Sequence, residues 1–195
     1  MTTTLRWTSA DLEHLPQDNN RYEIIDGELI VSKTPHYYHQ RVCGKAFAML
    51  DAWSKETGLG EANFAPGVIF SEDNDVIPDV IWISKARLRT ALGAGGHLYQ
   101  APELVIEVLS PGSQNVRRDR ELKLKLYSRR GVDEYWIMDW QARRVEVFRR
   151  EQAQLQLACT LYERDTLATL LLPGFAAEVA GFFEGIPPQQ PADNA

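Results

Sequence analysis

No apolar run in this sequence approaches the roughly 20 residues needed to cross a bilayer. The opening segment, MTTTLRWTSADLEHL, lacks the basic and apolar blocks of an export signal. A cytoplasmic protein with no membrane contact is therefore expected. Cysteine is scarce: Cys43 and Cys159 lie far apart in different predicted elements, so no disulfide framework is expected. Histidine is scarce too. His14, His36, His39 and His97 show no ligand spacing beyond the His36/His39 pair at a helix start, which argues against a zinc hydrolase. The glycine-rich loop Gly93 to Gly96 has no phosphate-loop pattern around it and reads as a connector. Internal repeats and low-complexity linkers are also missing, and 195 residues suffice for one full hydrophobic core. A single domain over residues 1–185 is expected, with residues 186–195 as a disordered tail.

Positive charge is in deficit overall, with a net of −6, which argues against a protein that coats nucleic acid with its whole surface. The distribution is uneven. From Arg117 to Arg150, eleven Lys and Arg residues face six Asp and Glu residues, a local +5 that leaves −11 for the rest of the chain. A local phosphate-binding face would give such a count, and so would a solvated helix with hairpin edges.

What is present centres on PELVIEVLSPGSQNVRRDRELKLKLY, residues 102–127. Leu104, Val105, Ile106, Val108 and Leu109 form the kind of run that belongs to a strand covered on both faces, so Glu107 sits where a charge is costly. Pro111 and Gly112 end that strand. From about Asn115, Leu122, Leu126 and Tyr127 recur at helical spacing, and Asp119, Lys123 and Tyr127 share one helix face. If that face looks back at Glu107, a carboxylate meets a lysine at the end of a buried strand.

Around this unit the spacing predicts a short first helix capped by Thr8 or Ser9, then a hairpin turning at Asp26-Gly27. A long helix follows from Tyr37 to Lys55, closing near Gly58, with His39 on its first turn. Glu61 to Phe70 reads as one strand broken by Pro66-Gly67, and Ser71 to Asp75 as a polar turn. In IPDVIWIS, alternation puts Ile77, Asp79, Ile81 and Ile83 on one strand face. Further strands are predicted at Glu134 to Met138, Val145 to Phe148, Leu155 to Leu161 and Thr166 to Leu172, with a short helix from Phe175 to Phe183.

Asp79 and Glu107 are 28 residues apart on separate apolar strands, enough for a helix and loop between neighbours in one sheet. Two converging carboxylates make the oxygen-rich site that a hard ion such as Mg²⁺ prefers. Beside a phosphodiester such an ion activates water, and a nearby lysine steadies the growing negative charge. Structural readings compete: Asp79 as a strand-start residue, Glu107 in a buried ion pair with an arginine, and Lys123 paired with Asp119 on its own helix.

The ordered set RYEIIDGEL, His39 opening a helix, PDVIWIS, PELVIEVLSPGS, DRELKLKLY and GVDEYWIMD resembles the Uma family of restriction-endonuclease-like proteins, within the PD-(D/E)xK nuclease superfamily. The match spans about Arg6 to Phe183. The resemblance implies that Asp79 is the motif aspartate, Glu107 the second acid and Lys123 the lysine, with Glu23 and His39 lining the site. One departure stands out. The superfamily lysine follows the second acid by two positions, where this chain has Leu109; here the lysine has moved to the helix, four residues before Tyr127. Lys125 is its rival, about 200° further round an α-helix.

The expected fold is α/β: a restriction-endonuclease-like mixed β-sheet flanked by helices, with an N-terminal hairpin and additional antiparallel strands. The expected function is cleavage of DNA phosphodiester bonds with Mg²⁺ or Mn²⁺ held by Asp79 and Glu107. Arg117, Arg118 and Arg120 would contact backbone phosphates, and analogy suggests a homodimer. Two alternatives stay open: a catalytically silent interaction or DNA-tethering module, and a hydrolase of another phosphoester.

Overall fold

The structure is a computed structural model and describes residues 5–187. Most of the predicted tail, residues 188–195, lies outside the described residues. In chain order the elements are α1 (Ser9–Leu12), β1 (Arg21–Ile25), β2 (Glu28–Ser32), α2 (Tyr37–Thr57), β3 (Gly60–Phe64), β4 (Val68–Ser71), β5 (Asn74–Val76), β6 (Val80–Ser84) and α3 (Lys85–Ala91). Then come β7 (Leu104–Val108), α4 (Ser113–Arg117), a π-helical segment (Arg118–Lys123), α5 (Leu124–Arg130), β8 (Glu134–Asp139), β9 (Arg144–Glu151), β10 (Gln154–Tyr162), β11 (Thr166–Ala168), β12 (Ala176–Glu178) and α6 (Val179–Phe182).

Six strands form the central sheet in the order β10-β9-β8-β7-β6-β3, mixed because β7 and β8 run parallel while every other pair is antiparallel. The parallel pair needs a crossover, and the helical stretch from Ser113 to Arg130 supplies it. Alternation along β7 sends Leu104, Ile106 and Val108 to a core built with Val42, Ala46, Leu50 and Trp53 of α2 and Phe182 of α6. Val105, together with Leu109 just past the strand, faces the second core, with Leu126 and Tyr127 of α5 and Val68 and Val76 of the smaller sheet. Glu107 shares the parity of Val105 and so points toward α5.

That smaller sheet, β2-β1-β5-β4, carries the N-terminal hairpin. Asp26 and Gly27 both have positive φ, 50° and 78°, which a two-residue turn of this hand requires. The long helix ends where expected, with Gly58 in the left-handed region.

Several predicted elements differ. Glu61 to Phe70 is not one broken strand: β3 edges the central sheet and β4 belongs to the small one, so Pro66-Gly67 marks a change of sheet. The polar turn is shorter, because Asn74 and Asp75 already pair with β4 and β1. The strand expected from Ile77 begins at Val80, since Pro78 has no N–H to give a ladder and the Ile77 N–H is taken by the Glu23 carboxylate. The helix from Asn115 widens into a π-helical turn over the very residues whose side chains are buried and charged, Asp119 and Lys123. The last predicted strand stops at Ala168 and pairs with β12, which occupies the first part of the predicted C-terminal helix.

Gly60 starts β3 where the chain passes tightly over β6. A Cβ there would lie 2.4 Å from the Ile83 carbonyl oxygen and 2.5 Å from the Trp82 ring. Neither neighbour can give, because one is ladder backbone and the other is a packed indole. Gly60→Ala is expected to cost about 1–3 kcal/mol, read as a lowered denaturant midpoint; an unchanged midpoint would contradict the contact.

Candidate functional site

The pairing of β6 with β7 sets Val80 opposite Ile106. Continued by one residue, the same register puts Asp79 opposite Glu107. The backbone confirms the approach, because the Val108 N–H donates to Asp79 Oδ2 at 2.9 Å. Asp79 thus sits at the mouth of its strand, just past the last ladder pair, where a side chain can reach elements on either side of the sheet.

Behind Glu107 lies an ammonium shared by two carboxylates. Lys123 Nζ is 2.9 Å from Glu107 Oε1 and 2.9 Å from Glu23 Oε1, and the Tyr127 hydroxyl donates to Glu107 Oε1 at 2.7 Å. Glu23 Oε1 also accepts the Ile77 N–H at 2.9 Å. Lys123 and Tyr127 are 0% exposed, and Glu23 and Glu107 are 1% exposed, so none of these charges is relieved by water. Burial would lower the Lys123 ammonium, yet Glu107, Glu23 and Asp119 hold it above the ordinary lysine value. Lys123 is therefore a fixed cation and no base. For Glu107 burial dominates, and with the negative charges of Asp79, Asp119 and Glu23 it outweighs Lys123 and pushes the carboxyl up to about 8. Glu23 goes the other way, because Lys123, the Ile77 N–H and Arg118 together overcome its burial.

Asp79 is paired on both oxygens. Arg21 Nη1 stands 3.0 Å from Oδ1, and His39 Nε2 stands 3.2 Å from Oδ2. Against the effect of burial, these partners hold the Asp79 carboxyl well below the usual carboxylate range. The imidazole gains in return: burial would lower it, but Asp79 raises it above its ordinary value. Nearby, Arg118 clasps the buried Asp119 at 2.8 and 3.2 Å and donates to the Ser32 hydroxyl at 2.7 Å.

Asp79, His39, Arg21 and Arg118 open onto a polar cleft of about 520 Å³, also lined by Lys33, His36 and Asn115. Glu107, Lys123 and Glu23 lie behind its floor. The three arginines of the basic helix separate. Arg118 lines the cleft, Arg117 pairs with Glu121 in solvent, and Arg120 is engaged with Glu146. Lys125 is exposed and reaches Asp26 at 3.5 Å, while Lys123 is the lysine at Glu107.

Arg21, the Tyr127 hydroxyl and the Arg118–Asp119 clasp were not read as site features from the sequence. For Arg21 a signal existed: it lies two residues before Glu23 and so on the same strand face. The Arg118–Asp119 clasp had none, because adjacent residues on a helix point in different directions.

The donor set is rich in carboxylate oxygen, the ligand type of a hard divalent ion. Asp79 and Glu107 supply opposed carboxylate oxygens, and the cations now balancing them, Arg21, His39 and Lys123, mark where positive charge is needed. A mixed sheet flanked by helices, with two opposed acids at the ends of adjacent strands, places this protein among the restriction-endonuclease-like α/β folds. The chain belongs to the Uma2 family, described as putative restriction endonuclease, whose family model matches residues 9–180. The structure of a putative nuclease belonging to DUF820 from Anabaena variabilis superposes with a TM-score of 0.71 at 19% identity, covering 90% of this chain and 97% of that one. The type IIG restriction endonuclease BpuSI matches with a TM-score of 0.42 at 14% identity, over 77% of this chain and 16% of that chain. No curated protein matches the sequence.

Proposed function

We propose that this protein is a divalent-metal-dependent endonuclease that hydrolyses DNA phosphodiester bonds. The observation that carries the reading is the pair Asp79 and Glu107 in opposed register on neighbouring strands, Asp79 lining a cleft that also bears Arg21, Lys33 and Arg118 and Glu107 buried just behind it. Fold stability gives no reason for this arrangement, because buried ion pairs contribute little net stability compared with apolar residues of the same volume. Family membership supports the choice of substrate.

Asp79 and Glu107 would hold Mg²⁺ or Mn²⁺, which when bound supplies charge to the phosphoryl oxygen and acidifies an attacking water. Arg21, Lys33 and Arg118 would bind phosphate along the cleft, with Arg117 and Arg120 able to contact the backbone further out after leaving their present carboxylate partners. Lys123 keeps Glu23 and Glu107 in place, and its ammonium would steady the negative charge that develops beside them. His39, on the cleft wall, holds Asp79 Oδ2 through Nε2 and would line the site beside the bound phosphate. A duplex has two strands, so cutting both favours a homodimer.

The test is cleavage of plasmid, linear duplex and single-stranded DNA with Mg²⁺ and with Mn²⁺. Native protein is expected to cut and folded Asp79→Ala to lose cutting by at least about 100-fold. A second reading, the catalytically silent module, draws on the complete pairing of Asp79 by Arg21, His39 and the Val108 N–H. DNA binding without cutting in any of these assays, and without Mg²⁺ uptake by calorimetry, would establish that reading instead.

A further inference from the structure

Cys43 is fully buried one helical turn after His39 on α2, in a core otherwise built of apolar side chains such as Val42, Ala46 and Leu50. It carries a thiol aimed at polar groups. Cys43 Sγ lies 3.5 Å from His39 Nδ1, and His39 Nε2 lies 3.2 Å from Asp79 Oδ2. One ligand atom from each of the three residues falls within 4.8 Å of the other two. Ligands around tetrahedral zinc, at bond lengths of about 2.0–2.3 Å, stand roughly 3.3–3.8 Å apart, so side-chain shifts on the order of 1 Å would close the set.

We propose that His39, Cys43 and Asp79 form a thiolate-containing site for a borderline-soft divalent cation, zinc above all, and that its occupation withdraws Asp79 from the hard-ion site. The consequence for cleavage rests on the function proposed above; the binding itself does not. Softness selects the ion, since Mg²⁺ gains nothing from sulfur whereas Zn²⁺ and Co²⁺ do. On binding, the metal–sulfur bond forms as the thiol proton leaves to solvent. His39 coordinates as neutral imidazole. The two positive charges of the ion then meet two anionic ligands, the Asp79 carboxylate and the Cys43 thiolate, so the set is neutral. His39 and Asp79 line the cleft, which gives the ion a path in and leaves water as its fourth ligand. The sequence spacing hides this site because one ligand comes from α2's neighbour across the sheet edge.

The full-length protein would be titrated with Co²⁺ while thiolate-to-cobalt charge-transfer absorption is followed in the near ultraviolet. Native protein and Cys159→Ser are expected to develop the band, and added Zn²⁺ to erase it. Cys43→Ala and Cys43→Ser should lose it, with circular dichroism and melting showing that each stays folded. Glu107→Gln should keep it, since that residue lies outside the set. A band that survives in folded Cys43→Ala, or no band in native protein, overturns the site. If Mg²⁺ fails to bind while the cobalt band appears, the hard-ion reading fails and this one stands.

Discussion

Lys123→Met lowers the stability of the protein by roughly 3–5 kcal/mol at pH 8, the scale for removing one partner from a buried charge cluster. The expectation follows from the surroundings. Lys123 Nζ faces Glu107 and Glu23 at 2.9 Å each with no solvent access. Methionine fills much the same volume, so lost packing contributes little. What remains at pH 8 is chiefly the Glu23 carboxylate without its ammonium, with Asp79 and Asp119 close by, because Glu107, already raised to about 8, takes up a proton once Lys123 is gone. Acid should relieve the defect, because protonation removes the uncompensated charges: most of the lost stability is expected to return by about pH 5. Urea denaturation at the two pH values reads this directly. A loss that is equal at both would mean that packing, and not charge, is what Lys123 provides. Lys125→Met serves as the contrast. That side chain is exposed and meets Asp26 at 3.5 Å, and a change within about 0.5 kcal/mol is expected.

Glu107→Gln flattens the pH dependence of the metal-free protein and abolishes its stabilisation by Mg²⁺. Burial and neighbouring carboxylates raise Glu107 from an ordinary 4.5 to about 8 in the folded state. A raised carboxyl binds its proton more tightly when folded. Its contribution is fully present below the unfolded value and is lost as pH rises through the folded one. His39 acts in the same direction, its contribution present below 6.5 and lost above its raised folded value. Asp79 acts oppositely, because its lowered carboxyl contributes above 3.8 and loses that contribution on acidification. Glu107 and His39 thus make the metal-free protein lose stability as pH rises from about 5 toward 8. An ion that displaces protons gains affinity over the same window. Mg²⁺ at 100 times its dissociation constant should then stabilise the native protein by about 2.7 kcal/mol at pH 8, and Glu107→Gln by essentially nothing. Melting curves from pH 5 to 9, with and without Mg²⁺, make the comparison. Equal stabilisation of both proteins would remove Glu107 from the ion's ligands.

How far the site was legible follows from which residues were local. Glu107 stood out because a charge inside an apolar run demands an explanation. Helical spacing put Lys123 and Tyr127 on one face, but whether that face met Glu107 stayed conditional, and the choice of Lys123 rested on the resemblance. Glu23 and His39 were named by resemblance alone, and no local pattern indicates that Glu23 would grip the same ammonium as Glu107. Arg118 was read as one of three equivalent arginines, but the fold separates them: one in solvent, one tied to Glu146, one lining the cleft.

The amino-acid sequence by itself determined the strands and helices with strong periodicity, the Asp26-Gly27 turn and the buried position of Glu107, because each depends on residues a few places apart. Tertiary structure alone decided that β3 and β4 part into different sheets, that Arg21 and His39 close on Asp79, and that Cys43 turns toward them. Those outcomes depend on register between strands distant in the chain and on which face of α2 meets the sheet. Neither is encoded in any short window, since a shift of one residue in strand pairing sends every side chain to the opposite face.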